Sequence, residues 1–113
     1  MANARKVAVK ALTEVSNNKA YSNITLNKVF DNNPMNHTEK AFATALFYGV
    51  LDRKLSIDYI LSFFVKKGLK KITPITLEAL RIAVYQIYFM DKVPDSAAVN
   101  ESVNIVKASK ERF

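Results

Sequence analysis

The side chains in this sequence that could do chemistry are mainly cations, and they fall into three groups. The groups are Arg5, Lys6 and Lys10; Arg53 and Lys54; and Lys66, Lys67, Lys70 and Lys71. Lysine and arginine bind phosphate groups, and their contact with a nucleic acid releases condensed counterions. The chain has 17 Lys and Arg against 10 Asp and Glu, a formal net charge of +7. This balance favours a polyanionic partner, RNA or DNA first and an anionic membrane surface second.

Each group of cations also has a structural explanation, which the sequence leaves open. Lys6 and Lys10 are spaced by one helical turn, as on the solvated side of an amphipathic helix. Arg53 and Lys54 stand where a helix is predicted to end, and cations there interact favourably with the helix dipole. The lysines between positions 66 and 71 repel one another, so they are either stabilised by a polyanion or solvated in a loop.

No pattern in the sequence indicates catalysis. The chain has no Cys, which excludes a disulfide framework, a thiolate zinc site and a cysteine nucleophile. The single histidine, His37, does not make a metal cluster, and Gly49 and Gly68 are too far apart for a phosphate-binding glycine loop. The aspartates are scattered and do not suggest an acid–base pair. We therefore predict no catalytic, cofactor or metal site in this chain.

The elements that position the cations are predicted to be helices packed around the apolar segment 74–90. A threonine suited to the N-cap and a proline suited to the first turn begin this segment. Its polar residues Glu78, Arg81 and Gln86 share one stripe, which we predict to face solvent, with Glu78 and Arg81 forming an i, i+3 ion pair. The rest of its circumference is apolar, so other helices must pack against it from several sides.

Helical spacing predicts five further helices, at about residues 3–17, 23–31, 37–54, 57–67 and 96–110. Ser22 is suited to cap the second helix, and Asn36 and Glu39 have the spacing of a capping box at the third. Gly49 inside a helix indicates close approach of a neighbour, and Gly68 suits a helix end. The predicted inner faces are Phe42, Ala45, Leu46 and Gly49 in the third helix, and Ile57, Ile60, Leu61, Phe64 and Val65 in the fourth. Because no strand-like alternation occurs, we predict one all-α domain over residues 1–113, a bundle of about six helices.

The run LRIAVYQ at residues 80–86, with Val93-Pro94 and AAVNESV at 97–103 after it, resembles the NusB-like RNA-binding domain family. Lys107 and the opening ARKVA at residues 4–8 fit the same family. The resemblance covers nearly the whole chain, though the first two helices carry it weakly. It implies a NusB-like helical bundle, RNA as the partner, and RNA contact by the basic first helix. Since the family usually continues with one more helix, we expect this chain to be an N-terminal fragment that lacks it.

Two branches of that family are distinguished by further segments. YGVLDRKLSIDYIL at 48–61, the lysine-rich link before the central helix, and YQIYFMDKVP at 85–94 are most similar to the N-terminal domain of the 16S rRNA cytosine-5 methyltransferases. That branch implies rRNA as the partner and, beyond Phe113, a catalytic domain that binds S-adenosylmethionine and uses cysteine nucleophiles. This chain alone would then not be an enzyme.

Two alternatives remain open at this point. The chain could be a free-standing transcription antitermination factor that binds a leader RNA together with a ribosomal protein. It could also be a helical module that docks proteins, in which the cations serve solubility. No targeting segment or membrane span is recognisable in the sequence, so we expect a cytoplasmic protein without a membrane partner.

Overall fold

The computed structural model describes residues 3–18, 21–65 and 68–90, and helices are the only regular secondary structure in them. The helices are α1 (Ala4–Asn18), α2 (Ser22–Asn32), α3 (His37–Asp52), α4 (Lys54–Ser62), a short 3-10 helix (Leu69–Lys71) and α5 (Pro74–Phe89). The predicted all-α class is confirmed. The helix predicted over residues 96–110 lies outside the described residues.

The predicted central helix is α5, and its position in the fold is confirmed, because α1, α3 and α4 all pack against it. α1 also packs against α2 and α3. The largest fully buried apolar side chains come from α1, α3, α4 and α5, and include Leu12, Leu46, Phe47, Ile57 and Ile82. Burying a side chain of this size contributes about 1.5–3 kcal/mol. No helix in the described part of the chain is long and apolar enough to cross a membrane.

At α3 the Asn36 cap and the close packing at Gly49 are confirmed, and the capping box is not. The Asn36 side chain accepts a hydrogen bond of 2.8 Å from the backbone N–H of Glu39, which caps the helix. The Glu39 carboxylate accepts from the backbone N–H of Ala4 at 3.3 Å, so it ties α3 to the start of α1 instead of closing the capping box. A Cβ atom on Gly49 would lie 2.6 Å from Cε1 of Tyr85, so the close approach of α5 explains this glycine.

The ends of two helices differ from the prediction. α2 begins at Ser22 with Tyr21 in the N-cap position, so Ser22 is not the cap. α4 begins at Lys54 and ends at Ser62, whereas a helix over about residues 57–67 was predicted. The N–H groups of Phe63 and Phe64 bond to carbonyls three residues back, which tightens and ends the last turn.

The predictions of the inner faces of α3 and α4 were also partly wrong. Ala45 is exposed, whereas Ala43, Phe47 and Val50 are buried with Leu46. Phe64, predicted to face inward, is 71% exposed because α4 has already ended before it. In α3 apolar residues flank the predicted inner face, so spacing alone did not identify the buried side. In α4 the predicted Ile57 and Leu61 are buried, and only the residue beyond the helix end was wrong.

The largest correction concerns the polar stripe of α5, which faces the interior. Glu78, Arg81 and Gln86 are 2%, 6% and 0% exposed. Arg81 donates to both carboxylate oxygens of Asp58 at 2.8 and 2.9 Å, and to Glu78 at 2.8 Å, so the predicted i, i+3 pair exists but is buried. Ser16 donates to the same Glu78 oxygen at 3.0 Å. The buried network therefore joins α1, α4 and α5.

The charge of Arg81 is stabilised by this network. Burial disfavours the charged guanidinium, but the hydrogen bond to Asp58 and the charges of Glu78 and Asp58 outweigh it, so the pKa of Arg81 is raised above its usual value. A raised pKa stabilises the folded chain at every pH below the pKa that Arg81 has in the unfolded chain. That stabilisation is lost only as pH rises through the pKa of the folded chain. Arg81 therefore stays charged throughout the ordinary pH range.

Candidate nucleic-acid interface

The last turn of α5 holds two predicted cations that are far apart in the sequence. Arg5 of α1 donates from Nε to the side-chain oxygen of Gln86 at 2.7 Å. The guanidinium carbon of Arg53 lies 4.6 Å from the ring centroid of Phe89. Because Gln86 and Phe89 are three residues apart in one helix, they lie on the same side of it. Arg5 and Arg53 are therefore both anchored to one end of α5.

Arg5 is held in a defined orientation. Its guanidinium carbon also lies 5.1 Å from the ring centroid of Phe42. Gln86 is fully buried and donates from its amide nitrogen to the carbonyl of Ile82 at 3.1 Å, which turns its oxygen toward Arg5. Within the described residues, the Arg5 side chain has no hydrogen bond besides the one from Nε. Nη1 and Nη2 thus remain available as donors to phosphate oxygens.

The helix end itself favours cations at this place. The carboxyl end of an α-helix carries a partial negative charge, which stabilises nearby positive side chains. Arg53 and Arg5 therefore have a structural reason to be there without any ligand. A phosphate bound at this end would meet two guanidinium groups that are already positioned, so less side-chain freedom would be lost on binding.

The remaining predicted cations form two basic surfaces. Lys6 and Lys10 are exposed on α1 and, with Arg5, make the α1 surface. The α4 surface consists of exposed Arg53, Lys54, Lys70 and Lys71, since the 3-10 helix packs against α4. Lys66 and Lys67 lie outside the described residues. Arg5 belongs to one surface and Arg53 to the other, and both are anchored at the end of α5.

The residues that position Arg5 and Arg53 were not predicted from the sequence. By their pattern in the sequence, Phe42 and Phe89 were ordinary apolar residues, and Gln86 was predicted to lie on a solvent-facing stripe. The available signal was a polar residue near the end of an otherwise apolar helix, since a buried amide needs hydrogen-bonding partners. Across the described residues, no three His, Asp or Glu side chains are grouped to hold a metal ion.

Comparison with known protein families and sequences gives a consistent result. A family model described as NusB family matches residues 2–112. The probable ribosomal RNA small subunit methyltransferase B of Bacillus subtilis is 37% identical over 91% of this chain. The protein of the same name from Synechocystis sp. is 28% identical over 96% of this chain. The transcription antitermination protein NusB of Clostridium novyi is 34% identical over 91% of this chain.

The relatives differ in how much of their own length is matched. The chain spans 23% and 24% of the two methyltransferases, but 80% of the Clostridium novyi protein. Among solved structures, a chain of the crystal structure of a plectonemic RNA supercoil has a TM-score of 0.87 and 19% identity. The match covers 95% of this chain and 79% of that one. At this identity the likeness establishes the fold.

Proposed function

This chain belongs to the NusB family, and from that premise we propose that it is an RNA-binding helical domain serving an rRNA methyltransferase. The RNA it binds is ribosomal, and a catalytic domain outside these residues methylates cytosine C5 with S-adenosylmethionine. The observation that carries this proposal is the 37% identity to the Bacillus subtilis methyltransferase, of which only 23% is matched. The unmatched length leaves room for a catalytic domain, so no residue of this chain is assigned to methyl transfer.

The geometry supports RNA binding by this domain. Arg5 and Arg53 are anchored at one end of α5, and exposed lysines extend from there on α1 and on the α4 surface. Guanidinium groups bind phosphate oxygens through paired hydrogen bonds, and lysines add charge without a fixed geometry. A surface of this kind binds the phosphates of the RNA backbone more than the bases, so RNA affinity depends strongly on salt concentration.

Fluorescence anisotropy with labelled fragments of 16S rRNA tests this function. We expect micromolar or weaker binding at low salt, with the logarithm of affinity falling linearly against the logarithm of salt concentration. The slope should be about −0.7 for each single-strand phosphate contacted. An absence of RNA binding at low salt would overturn the proposal.

Charge reversal identifies the residues responsible. Lys70→Glu combined with Lys71→Glu, with or without the same change at Lys66 and Lys67, should weaken binding and flatten the salt slope. Lys28→Glu is the matched control for Lys70→Glu alone, because both change the net charge equally and Lys28 is exposed on α2, outside both basic surfaces. Equal effects at Lys28 and at Lys70 would show that only net charge matters. If the chain is a protein-docking module, the charge-reversed variant should still bind its protein partner, and the unaltered chain should not bind RNA.

Transcription antitermination is the second candidate function, favoured by the 80% coverage of the Clostridium novyi protein. Under it, the RNA is a leader RNA and a ribosomal protein strengthens the complex. Disruption of the gene separates the two candidates. Loss of a 5-methylcytosine from the small-subunit rRNA supports the methyltransferase proposal, whereas intact rRNA methylation with reduced transcription through terminators supports antitermination.

A further inference from the structure

One side of α4 presents large apolar side chains to solvent, and phosphate contacts do not account for them. The exposed fractions of Leu55, Tyr59, Phe63 and Phe64 are 89%, 67%, 63% and 71%. Leu55, Tyr59 and Phe63 follow one another at intervals of one helical turn. They lie away from the buried side of α4, which carries Ile57 and Leu61. We call Leu55, Tyr59 and Phe63 the aromatic stripe; Phe64 is also exposed, just beyond the end of α4.

Two rings of the stripe support each other's orientation. The centroids of Tyr59 and Phe63 are 5.0 Å apart and their planes are at 88°, an edge-to-face pair. In this arrangement one ring directs its edge at the face of the other, so most of the ring faces stay open. Open, oriented ring faces are what a planar ligand needs for stacking.

Cations border the stripe and outnumber the exposed acid beside them, Asp52 at the end of α3. Arg53 and Lys54 stand at the start of α4, and Lys70 and Lys71 on the 3-10 helix that packs against it. Asp58 is the only acid in the sequence between positions 53 and 71. Both of its carboxylate oxygens accept hydrogen bonds from Arg81. The stripe from Leu55 to Phe63 is about 12 Å long, so the cations are within reach of a ligand that covers it.

This charge pattern selects the occupant of the stripe. A second copy of the chain, related by a twofold axis through the stripe, would bring the same cations face to face. Single-stranded RNA matches both features, because its phosphates are anionic and its unpaired bases offer flat faces. We propose that the aromatic stripe stacks unpaired bases of the RNA while the flanking cations bind the adjoining phosphates.

The stripe continues the interface already described. Arg53 borders the stripe and is also anchored at the end of α5 beside the site of Arg5. A single RNA strand could therefore run from the end of α5 along α4. This inference rests on the proposed RNA-binding function, and it adds unpaired bases to the phosphates as what the site recognises.

The first test compares a labelled 12-nucleotide single-stranded RNA with an abasic strand of equal length and charge. Tyr59→Ala combined with Phe63→Ala should weaken RNA binding about tenfold or more, in the range for lost base stacking. Binding of the abasic strand and the salt slope should not change, since no cation is removed. Tyr21→Ala is the control, because Tyr21 is 79% exposed at the start of α2. Unchanged RNA affinity in the double variant, or an equal loss of affinity for the abasic strand, would overturn the proposal that the stripe stacks bases.

A second test observes the stripe directly. The chain contains no Trp, so a Tyr59→Trp variant reports from one place. Its emission should be quenched by RNA along the same titration curve as the anisotropy, and a Tyr21→Trp variant should not respond. A blue shift that grows with protein concentration alone would assign the stripe to a second copy, and one produced by phosphatidylglycerol vesicles would assign it to a membrane surface. Either shift without quenching by RNA would overturn the proposal.

The two proposals fail in different ways. If the unaltered chain binds no RNA at low salt, both the proposed function and the stacking surface are refuted. If the unaltered chain binds RNA but the variants of Tyr59 and Phe63 bind equally well, only the stacking surface is refuted.

Discussion

Replacing Arg81 with methionine should destabilise this fold much more than the loss of a surface ion pair would. Methionine keeps much of the side-chain length but removes the hydrogen bonds to Asp58 and Glu78. Among the described residues, the Glu78 carboxylate, 2% exposed, would then keep only the hydroxyl of Ser16 as its partner. Removing one member of a buried pair costs about 3–5 kcal/mol, whereas an exposed i, i+3 pair contributes about 0.2–0.5 kcal/mol.

The loss should be measured by urea unfolding followed by circular dichroism. A domain of this size has a free energy of unfolding of about 5–15 kcal/mol, so a loss of about 3–5 kcal/mol is a fifth of it or more and clearly lowers the midpoint. Lys28→Met is the control, because Lys28 is exposed on α2 and its change should stay within about 0.5 kcal/mol.

A double-mutant cycle distinguishes a buried charge from a general packing defect. Glu78→Gln removes the charge that Arg81→Met leaves without its ionic partner, so the double variant should lose less than the two single losses added together. The difference should exceed about 1 kcal/mol, since a buried, unpaired charge is the main cost. An Arg81→Met loss below about 1 kcal/mol would show that this stripe of α5 faces solvent and would refute the buried network.

Three further predictions follow from single contacts. Gly49→Ala should cost about 1–3 kcal/mol because its methyl group overlaps the Tyr85 ring. In a Tyr85→Leu background the same change should stabilise by about 1 kcal/mol through helix propensity, and equal losses in both backgrounds would contradict the overlap. Asn36→Ala should cost about 1 kcal/mol in the same unfolding assay by removing the cap of α3. Because arginine is ordinarily charged at pH 10 and the network raises the pKa of Arg81 further, the stability difference between the unaltered chain and Arg81→Met should persist from about pH 7 to 10. A difference that shrinks toward pH 10 would contradict the buried, charged network.

Local features of the chain were predictable because they act over one or two helical turns. Asn36 caps α3 and Pro74 begins α5 as predicted, whereas Gly68, with a positive φ of 93°, precedes the 3-10 helix and does not end α4. Gly49 also belongs here, since a glycine inside a helix needs a reason and close packing was the simplest. The all-α class and the central position of α5 followed from periodicity and from its apolar circumference.

The candidate site was less predictable, because its residues come from separate helices. The sequence indicated Arg5 and Arg53 as cations, but it did not show that Gln86 and Phe89 hold them at one end of α5. The aromatic stripe was not predicted either, since the fourth helix was expected to begin at residue 57, after Leu55. Phe64, which follows the stripe, was expected inside the core. Phe64 is exposed because α4 ends before it, and the end of a helix depends on contacts beyond the periodic pattern.

The sequence by itself determined that the chain is helical, that α5 lies at its centre, and that its charge suits a polyanion. Only the tertiary structure decided which side of α5 is buried. Helical spacing shows which residues share a side of a helix, but not whether that side meets water or protein. Glu78 and Arg81 are buried because Asp58 and Ser16, on other helices, supply partners that make burial of the charges tolerable.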